Sequence, residues 1–588
     1  MNFLLAKLGI ITILPLLTSA RSWYDLGLYG IYPTEDYVSF GMKPPLVSIA
    51  KWDDSCNCDY TLLTPRGSWV RDYGPMILGP RGGLVWMETK FGVAMDLKVQ
   101  QYNGENFLTF WAGVNDGTHG RGVYYMASQK PPALQVEANK TQLNTSYDVV
   151  HVLSAGNGLE GDLHEFKITP EGTALITIYE IVSADLSAFG IKSGWIYDGL
   201  FQEIDIATGE VLFQWRSSEH YKVEETFEPI GWTGRTKGTA FDFFHINSIA
   251  KDPMGNYYVS SRYMHSVTCI SPDGNLNWVL GGRRNEFKDL SYGAATNISW
   301  NHHVDWHDND TLTIFDNGAT DEIQTAQYSR ALLISIDSVS KTAKVLQQFV
   351  TPGKYLSQSQ GSVQILPDNG NIFVGWGHTA AYSEFTADGE LLCDTHFGPS
   401  LFFGWGKVKS YRGFKAPWIG RPRTPPDVKM PDKQSIFVSW NGATEVASWV
   451  LQGASPEHPQ FMNIGQIPKD TFEASFELGA EVDDYDFLRI AAMDLDDDVL
   501  GYTSVVDRRS RKMVSDSFVP LDLDTDVEHE ESFLLQGSIF ITSFFFGVWF
   551  IWRFRRTLVE RASNYYRIYC VNKNASIGFQ PVPTVEIG

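Results

Sequence analysis

The decapeptide NHHVDWHDND (301–310) holds three of the chain's 13 histidines together with three aspartates. Such a set can do three kinds of chemistry. Histidines and a carboxylate can ligate a metal ion, one imidazole can act as nucleophile or base with polar supports, or the polar residues can simply close a turn. On a strand, His303, Asp305 and His307 share one face, and His302, Val304 and Trp306 the other. Ligands two residues apart on one strand stand roughly 7 Å apart, which is wide for a single ion. The end of the stretch, DNDT (308–311), has turn chemistry and carries a glycosylation sequon at Asn309. No metal site is therefore expected, and His302 is the residue to follow.

His302 gains meaning from two others. His164, His245 and His302 each stand at the head of an apolar segment, four residues before Ile168, Ile249 and Trp306 respectively. Equal offsets on strands mean equal faces, so the three are expected to converge. Asn247 follows His245 by two residues, and Arg262 closes the partner strand of the same unit. Histidine, asparagine and arginine gathered in an acidic protein point to a small anion as ligand.

The elements that must position these residues repeat. HEFKITPEGTALITIY (164–179), HINSIAKDPMGNYYVSSR (245–262), HHVDWHDNDTLTIFDNG (302–318) and GSVQILPDNGNIFVGWG (361–377) each read as strand, turn, strand. Alternating with them are EIDIATGEVLFQW (203–215), CISPDGNLNWVL (269–280), SIDSVSKTAKVLQQF (335–349) and EFTADGELLCD (384–394), which are hairpins of a second kind. One of each makes a four-stranded unit, and serial four-stranded units predict an all-β fold with a β-propeller. GPRGGLVW (79–86) reads as a piece of an earlier unit. In a propeller the first strand of each blade lines the central channel, which would bring His164, His245 and His302 to its mouth.

Composition agrees with this class. Aromatic residues make up 14% of 588 residues, with 52 glycines, as suits short strands and tight turns. The net charge of −22 argues against nucleic acid as a partner. Residues 1–20 read as a secretory signal peptide, and 533–552 as a 20-residue uncharged transmembrane helix followed by RFRR. The chain is thus expected to be a single-pass type I membrane glycoprotein of the secretory pathway. It would comprise a lumenal propeller (21–425), a small fibronectin type III-like β-sandwich (426–510), an acidic stalk (511–532) and a cytosolic tail (553–588). Sequons at Asn139, Asn144, Asn297 and Asn309 would carry glycans on the lumenal side. Cys56, Cys58, Cys269 and Cys393 would also be lumenal, with their pairing left open.

The run from YNGENFLTFWAG (102–113) through DLHEFKITPEGTALIT, FFHINSIAKDPMGNYYVSSR, NHHVDW and GWGHTAAYSEFTADGELL to SWNGATEVASW (439–449) resembles fungal arylsulfotransferase-family proteins. The resemblance covers about residues 25–510, and the bacterial arylsulfate sulfotransferases are more distant relatives. It implies a six-bladed propeller and sulfuryl transfer from an aryl sulfate donor to a phenolic acceptor through a histidine intermediate, with no cofactor. On matching motif positions, His302 would be the nucleophile, and His164, His245, Asn247 and Arg262 would bind the substrate. The family's Gln-His-His-Ala-Arg pattern reads Asn301, His302, His303, Val304, Asp305 in this chain, with His303 a supporting residue: Asp305 stands where that pattern has a cation, and would disfavour sulfate if it faced the pocket. Two further readings stay beside this one. A quinone-cofactor dehydrogenase is suggested only by DG…W repeats common to many propellers. A non-catalytic, membrane-tethered propeller binding a glycan or protein would need no histidines in register.

Overall fold

A computed structural model describes residues 22–128 and 147–514. The expected signal peptide, the sequons at Asn139 and Asn144, the transmembrane helix at 533–552 and the cytosolic tail lie outside the described residues. No helix among the described residues is long and apolar enough to cross a membrane.

The described chain is all-β, with a few short 3-10 turns, and divides into two units. The first is built mainly from Gly41–Arg423, with Asn441–Thr444 added. Six of its strands position the site: β1 (Ala94–Tyr102), β2 (Gly161–Ile168), β3 (Ile246–Lys251), β4 (His302–His307), β5 (Ser362–Ile365) and β6 (Lys409–Ala416). Each is the first strand of an antiparallel meander. β3 is followed by Tyr257–Ser261, Ser266–Ile270 and Leu276–Gly281, and β4 by Thr311–Asp316, Arg330–Asp337 and Thr342–Phe349. The hairpins follow the turn chemistry of the sequence. At 308–310, for instance, Asn309 and Asp310 take positive φ between His307 and its partner Thr311.

The last two sheets are completed from the N-terminal side. Ser48–Lys51 pairs with Leu391–His396 at the edge of the β5 sheet. β6 pairs with Tyr60–Arg66, which leads on to Met76–Leu78 and Leu84–Met87. The 79–86 hairpin, expected to belong to an earlier repeat, therefore completes the final sheet. Pairing across more than 300 residues leaves no local signal. The meander headed by β1 lacked a repeat motif in the sequence reading, and it joins the β2 meander through one residue pair, Gly122 and Gly161.

β1 neighbours β2 and β6, β2 neighbours β3, β3 neighbours β4, β4 neighbours β5, and β5 neighbours β6, so the six first strands form a closed circuit although no sheet closes on itself. The core lies between successive sheets. Ile246, Ile249 and Val259 pack on Phe201 and Trp215, and Ala250, Val267 and Leu280 pack on Val304, Leu312 and Ile334. At the circuit's centre Arg412 of β6 is 3% exposed. It donates to Asp96 of β1 at 2.9 Å, to Glu165 of β2 at 3.0 Å and to the Asn247 carbonyl of β3 at 2.9 Å. A disulfide joins Cys56 to Cys393, and Cys269 is a buried free thiol whose pKa burial pushes up to about 12.

The second unit holds Val38–Phe40, Thr424–Trp440 and the described residues from Glu445 onward. It has a three-stranded sheet (Asp427–Lys429, Ser435–Ser439, Glu473–Glu477) and a six-stranded one. The latter ends in Met513–Val514, so ordered pairing continues past residue 510.

Candidate active site

Each histidine-bearing strand breaks its ladder near the histidine. The register shifts between Ile176 and Ile178 opposite β2, between Ile246 and Ser248 in β3, and between His302 and Asp305 in β4. Bulges re-aim side chains and are frequent beside active sites. His245, His303, Trp300 and Gln360 also take positive φ without being glycine, a conformation that costs free energy and gathers at functional sites.

The outcome is a cluster. The His164 and His245 rings are 4.9 Å apart and nearly perpendicular. Tyr411 lies 5.5 Å from the His164 ring and 6.5 Å from the His302 ring. Tyr179 lies within 5.9 Å of both His164 and His245, and donates its hydroxyl to the Ile246 carbonyl at 2.7 Å.

Each imidazole has a fixed tautomer. Asn317 Nδ2 donates to the carbonyls of Ser357 and Gln360, which leaves Asn317 Oδ1 as an acceptor 2.7 Å from His302 Nδ1. His302 therefore carries its proton on Nδ1, and its Nε2 lone pair accepts the Gln360 N–H at 3.2 Å. Burial, reinforced by the Arg262 charge, holds its pKa well below the usual histidine value, so the ring is neutral. His245 donates Nδ1–H to Asp242 at 2.6 Å, and His164 donates Nδ1–H to Asp162. Neither Nε2 has a hydrogen-bond partner among the described residues. Burial brings His245 down to about 4 despite Asp242.

Arg262 is 9% exposed, donates to the Gln358 carbonyl at 2.9 Å and buries Nε without a partner. Asn247 donates to the Asn301 carbonyl at 2.7 Å and leaves Oδ1 buried and unpaired. His164, His245, Asn247, Arg262 and His302 are thus brought to one region of the first unit.

His303 and Asp305 are not part of it. The bulge and the positive φ of His303 break the alternation that put His303, Asp305 and His307 on one face. His303 Nδ1 accepts the Val363 N–H at 3.2 Å, Asp305 pairs with Lys167, and His307 Nε2 meets Thr313 Oγ1 at 2.9 Å. The anion-repelling role feared for Asp305 is corrected by that pair: Lys167 answers its charge. Asn297 and Asn309 are exposed.

Sequence reasoning missed the supports. Asp162 and Asp242 precede their histidines by two and three residues, a spacing that could have been read as a signal. His119 had none: it comes from the turn before Gly120–Ser128, stacks on Tyr197 at 4.0 Å and donates from Nε2 to Asp242 at 2.8 Å. Burial opposes its charge, but the hydrogen bonds to Asp116 and Asp242 outweigh burial and raise its pKa to about 10. His119, Asp242 and His245 bring three donor atoms within 4.8 Å, the closest approach to a metal-binding group among the described residues. Those atoms are engaged in hydrogen bonds to one another.

Comparison with known proteins adds the following. The family model described as Arylsulfotransferase (ASST) matches residues 98–398. No curated protein matches the chain. Among solved structures, a protein of unknown function from Bacteroides caccae is 13% identical, covering 60% of this chain and 98% of its own, with a TM-score of 0.32. A protein from Lactobacillus plantarum is 11% identical over 72% of this chain and 100% of its own, with a TM-score of 0.28. A catalytically inactive virginiamycin B lyase from Staphylococcus aureus is 9% identical over 68% and 96%, with a TM-score of 0.26.

Proposed function

The chain belongs to the arylsulfotransferase (ASST) family, and from that membership we propose that it transfers a sulfuryl group from an aryl sulfate to a phenolic acceptor through His302. The observation that carries this reading is the His302 tautomer: a neutral imidazole, its proton held on Nδ1 by Asn317, its lone pair on Nε2. In the first half-reaction the Nε2 lone pair gives up the Gln360 N–H and attacks sulfur, the S–N bond forms, the S–O bond to the aryl group breaks, and phenolate leaves with that bonding pair. Nδ1 keeps its proton, so the sulfated imidazole is a zwitterion. Arg262 is the cation placed to stabilise charge on the sulfuryl oxygens. In the second half, Nε2 of His245 or His164 takes the proton of the acceptor phenol as its oxygen attacks sulfur, returning His302 to its starting state.

The circuit of β1–β6 and the completion of the last two sheets by N-terminal strands support a six-bladed propeller for the first unit. The two sheets of the second unit accord with a fibronectin type III-like sandwich. The Cys56–Cys393 disulfide fits an oxidising compartment, and the apolar stretch at 533–552 with RFRR after it supports a lumenal catalytic region on a single-pass anchor.

The test is turnover of a nitrophenyl sulfate by the purified full-length protein with a phenol acceptor. Parallel initial-rate lines and a sulfated peptide containing His302 are expected, and His302→Ala should abolish both. Phenol release that survives in His302→Ala would sink the mechanism. No turnover with any aryl sulfate would favour a propeller that binds a ligand without catalysis.

A further inference from the structure

Beside the histidine cluster, Arg66 and Lys409 face each other as direct cross-strand partners, Arg66 at the end of its strand and Lys409 at the start of β6. Like charges directly opposite on a sheet destabilise it. The chain has 69 acidic residues against 47 basic ones, so a carboxylate partner would be easy to supply. Yet neither cation forms an ion pair among the described residues. Arg66 is only 9% exposed and buries Nε with no partner. His378 is near enough to feel both charges and likewise buries Nε2 unpartnered. A buried guanidinium with no counter-charge is costly unless a ligand supplies one.

The position says which ligand. Gln360 offers its backbone N–H to His302 Nε2, while its side-chain Oε1 accepts from Arg66 Nη2 at 3.0 Å. One residue thus touches both the reacting nitrogen and the unpaired cation. Tyr411, whose ring faces His302 and His164, also feels the Arg66 charge. Arg262 donates to the Gln358 carbonyl of the same segment, so residues 358–360 link Arg262, His302 and Arg66.

We propose that Arg66, with Lys409 and His378, forms a second oxyanion subsite that receives a carboxylate-type group on the aromatic ring of the substrate. This rests on the sulfuryl-transfer reading and specifies its substrate class: phenols and aryl sulfates bearing a second negative charge. The electrostatics agree. Burial together with Arg66 and Lys407 brings Lys409 down to about 8 even though Asp321 opposes the shift, a cost that a bound anion would relieve.

The experiment compares 4-sulfooxybenzoate with 4-sulfooxybenzamide, its isostere without the carboxylate charge, as donors for the full-length protein. The wild type should favour the carboxylate by roughly tenfold in kcat/KM at low salt. Arg66→Gln should erase that preference, bringing the carboxylate donor down towards the amide, and Arg66→Lys should keep part of it. If Arg66→Gln lowers both donors equally, Arg66 serves the transferred group and the subsite is refuted. Equal rates for the two donors in the wild type refute it as well. Should Arg66→Gln fail to fold, Lys409→Gln carries the same comparison. Calorimetric binding of 4-hydroxybenzoate against 4-hydroxybenzamide separates the two claims. Carboxylate-selective binding that is lost in Arg66→Gln, in a protein without turnover, would sustain the subsite and overturn sulfuryl transfer. Turnover without selectivity would do the reverse.

Discussion

At the scale of single residues, the site is a set of imidazoles, each held in orientation by a hydrogen-bonding partner. Asp242 is one. Replacing it by Asn removes the carboxylate charge and leaves one acceptor for two histidine N–H groups, which should lower kcat by about 10²-fold with a smaller change in KM, read from steady-state rates. Asp305 is the contrasting case. Its pair with Lys167 is about 30% exposed on both sides, so Asp305→Ala should cost less than about 1 kcal/mol and leave activity unchanged. Protonation gives a further prediction. Burial holds His245 and His378 at about 4, and burial, with Arg262, holds His265 at about 3, against about 6.5 in the unfolded chain. As pH falls below 6.5 the unfolded state binds protons that the folded state refuses, so stability drops towards pH 4. His396 behaves oppositely. Burial opposes its charge, but Asp25 and Asp394 raise it to about 9. Its contribution is complete below 6.5 and is lost as pH rises through 9. Melting temperatures from pH 4 to 10 should show both limbs, and His396→Gln should flatten the alkaline one relative to the wild type.

At the scale of elements, the hairpins in the sequence became hairpins because their Asp, Asn and Gly residues take the backbone conformations that tight turns need. The bulges did not announce themselves. HHVDWH alternates cleanly on paper, and the break between His302 and Asp305 exists because His302 is drawn to Asn317 and Val304 N–H to Ser248 Oγ of the next sheet. Asn317 is also the clasp of the 357–360 segment through the Ser357 and Gln360 carbonyls. Asn317→Ala should therefore lose activity and about 1–3 kcal/mol of stability together, measured by denaturant unfolding.

At the scale of the whole molecule, the histidine faces matter because six first strands meet around Arg412. Arg412→Met leaves Asp96 and Glu165 without that buried cation and should cost about 3–5 kcal/mol. The Cys56–Cys393 disulfide ties the N-terminal segment to the β5 sheet across 337 residues, and Cys393→Ser should destabilise by about 2–5 kcal/mol. What the sequence by itself determined was local: the all-β class, the hairpins and their turns, and the equal offsets at which His164, His245 and His302 head their segments. Those follow from periodicity and turn chemistry, which act within a few residues. Tertiary structure alone decided the rest: which strands complete the last sheets, that His119 meets Asp242, that Lys167 answers Asp305, and that Arg66 and Lys409 stand opposite each other unpaired. Each is a contact between residues far apart in the chain, and no spacing along one segment encodes a partner that another segment brings.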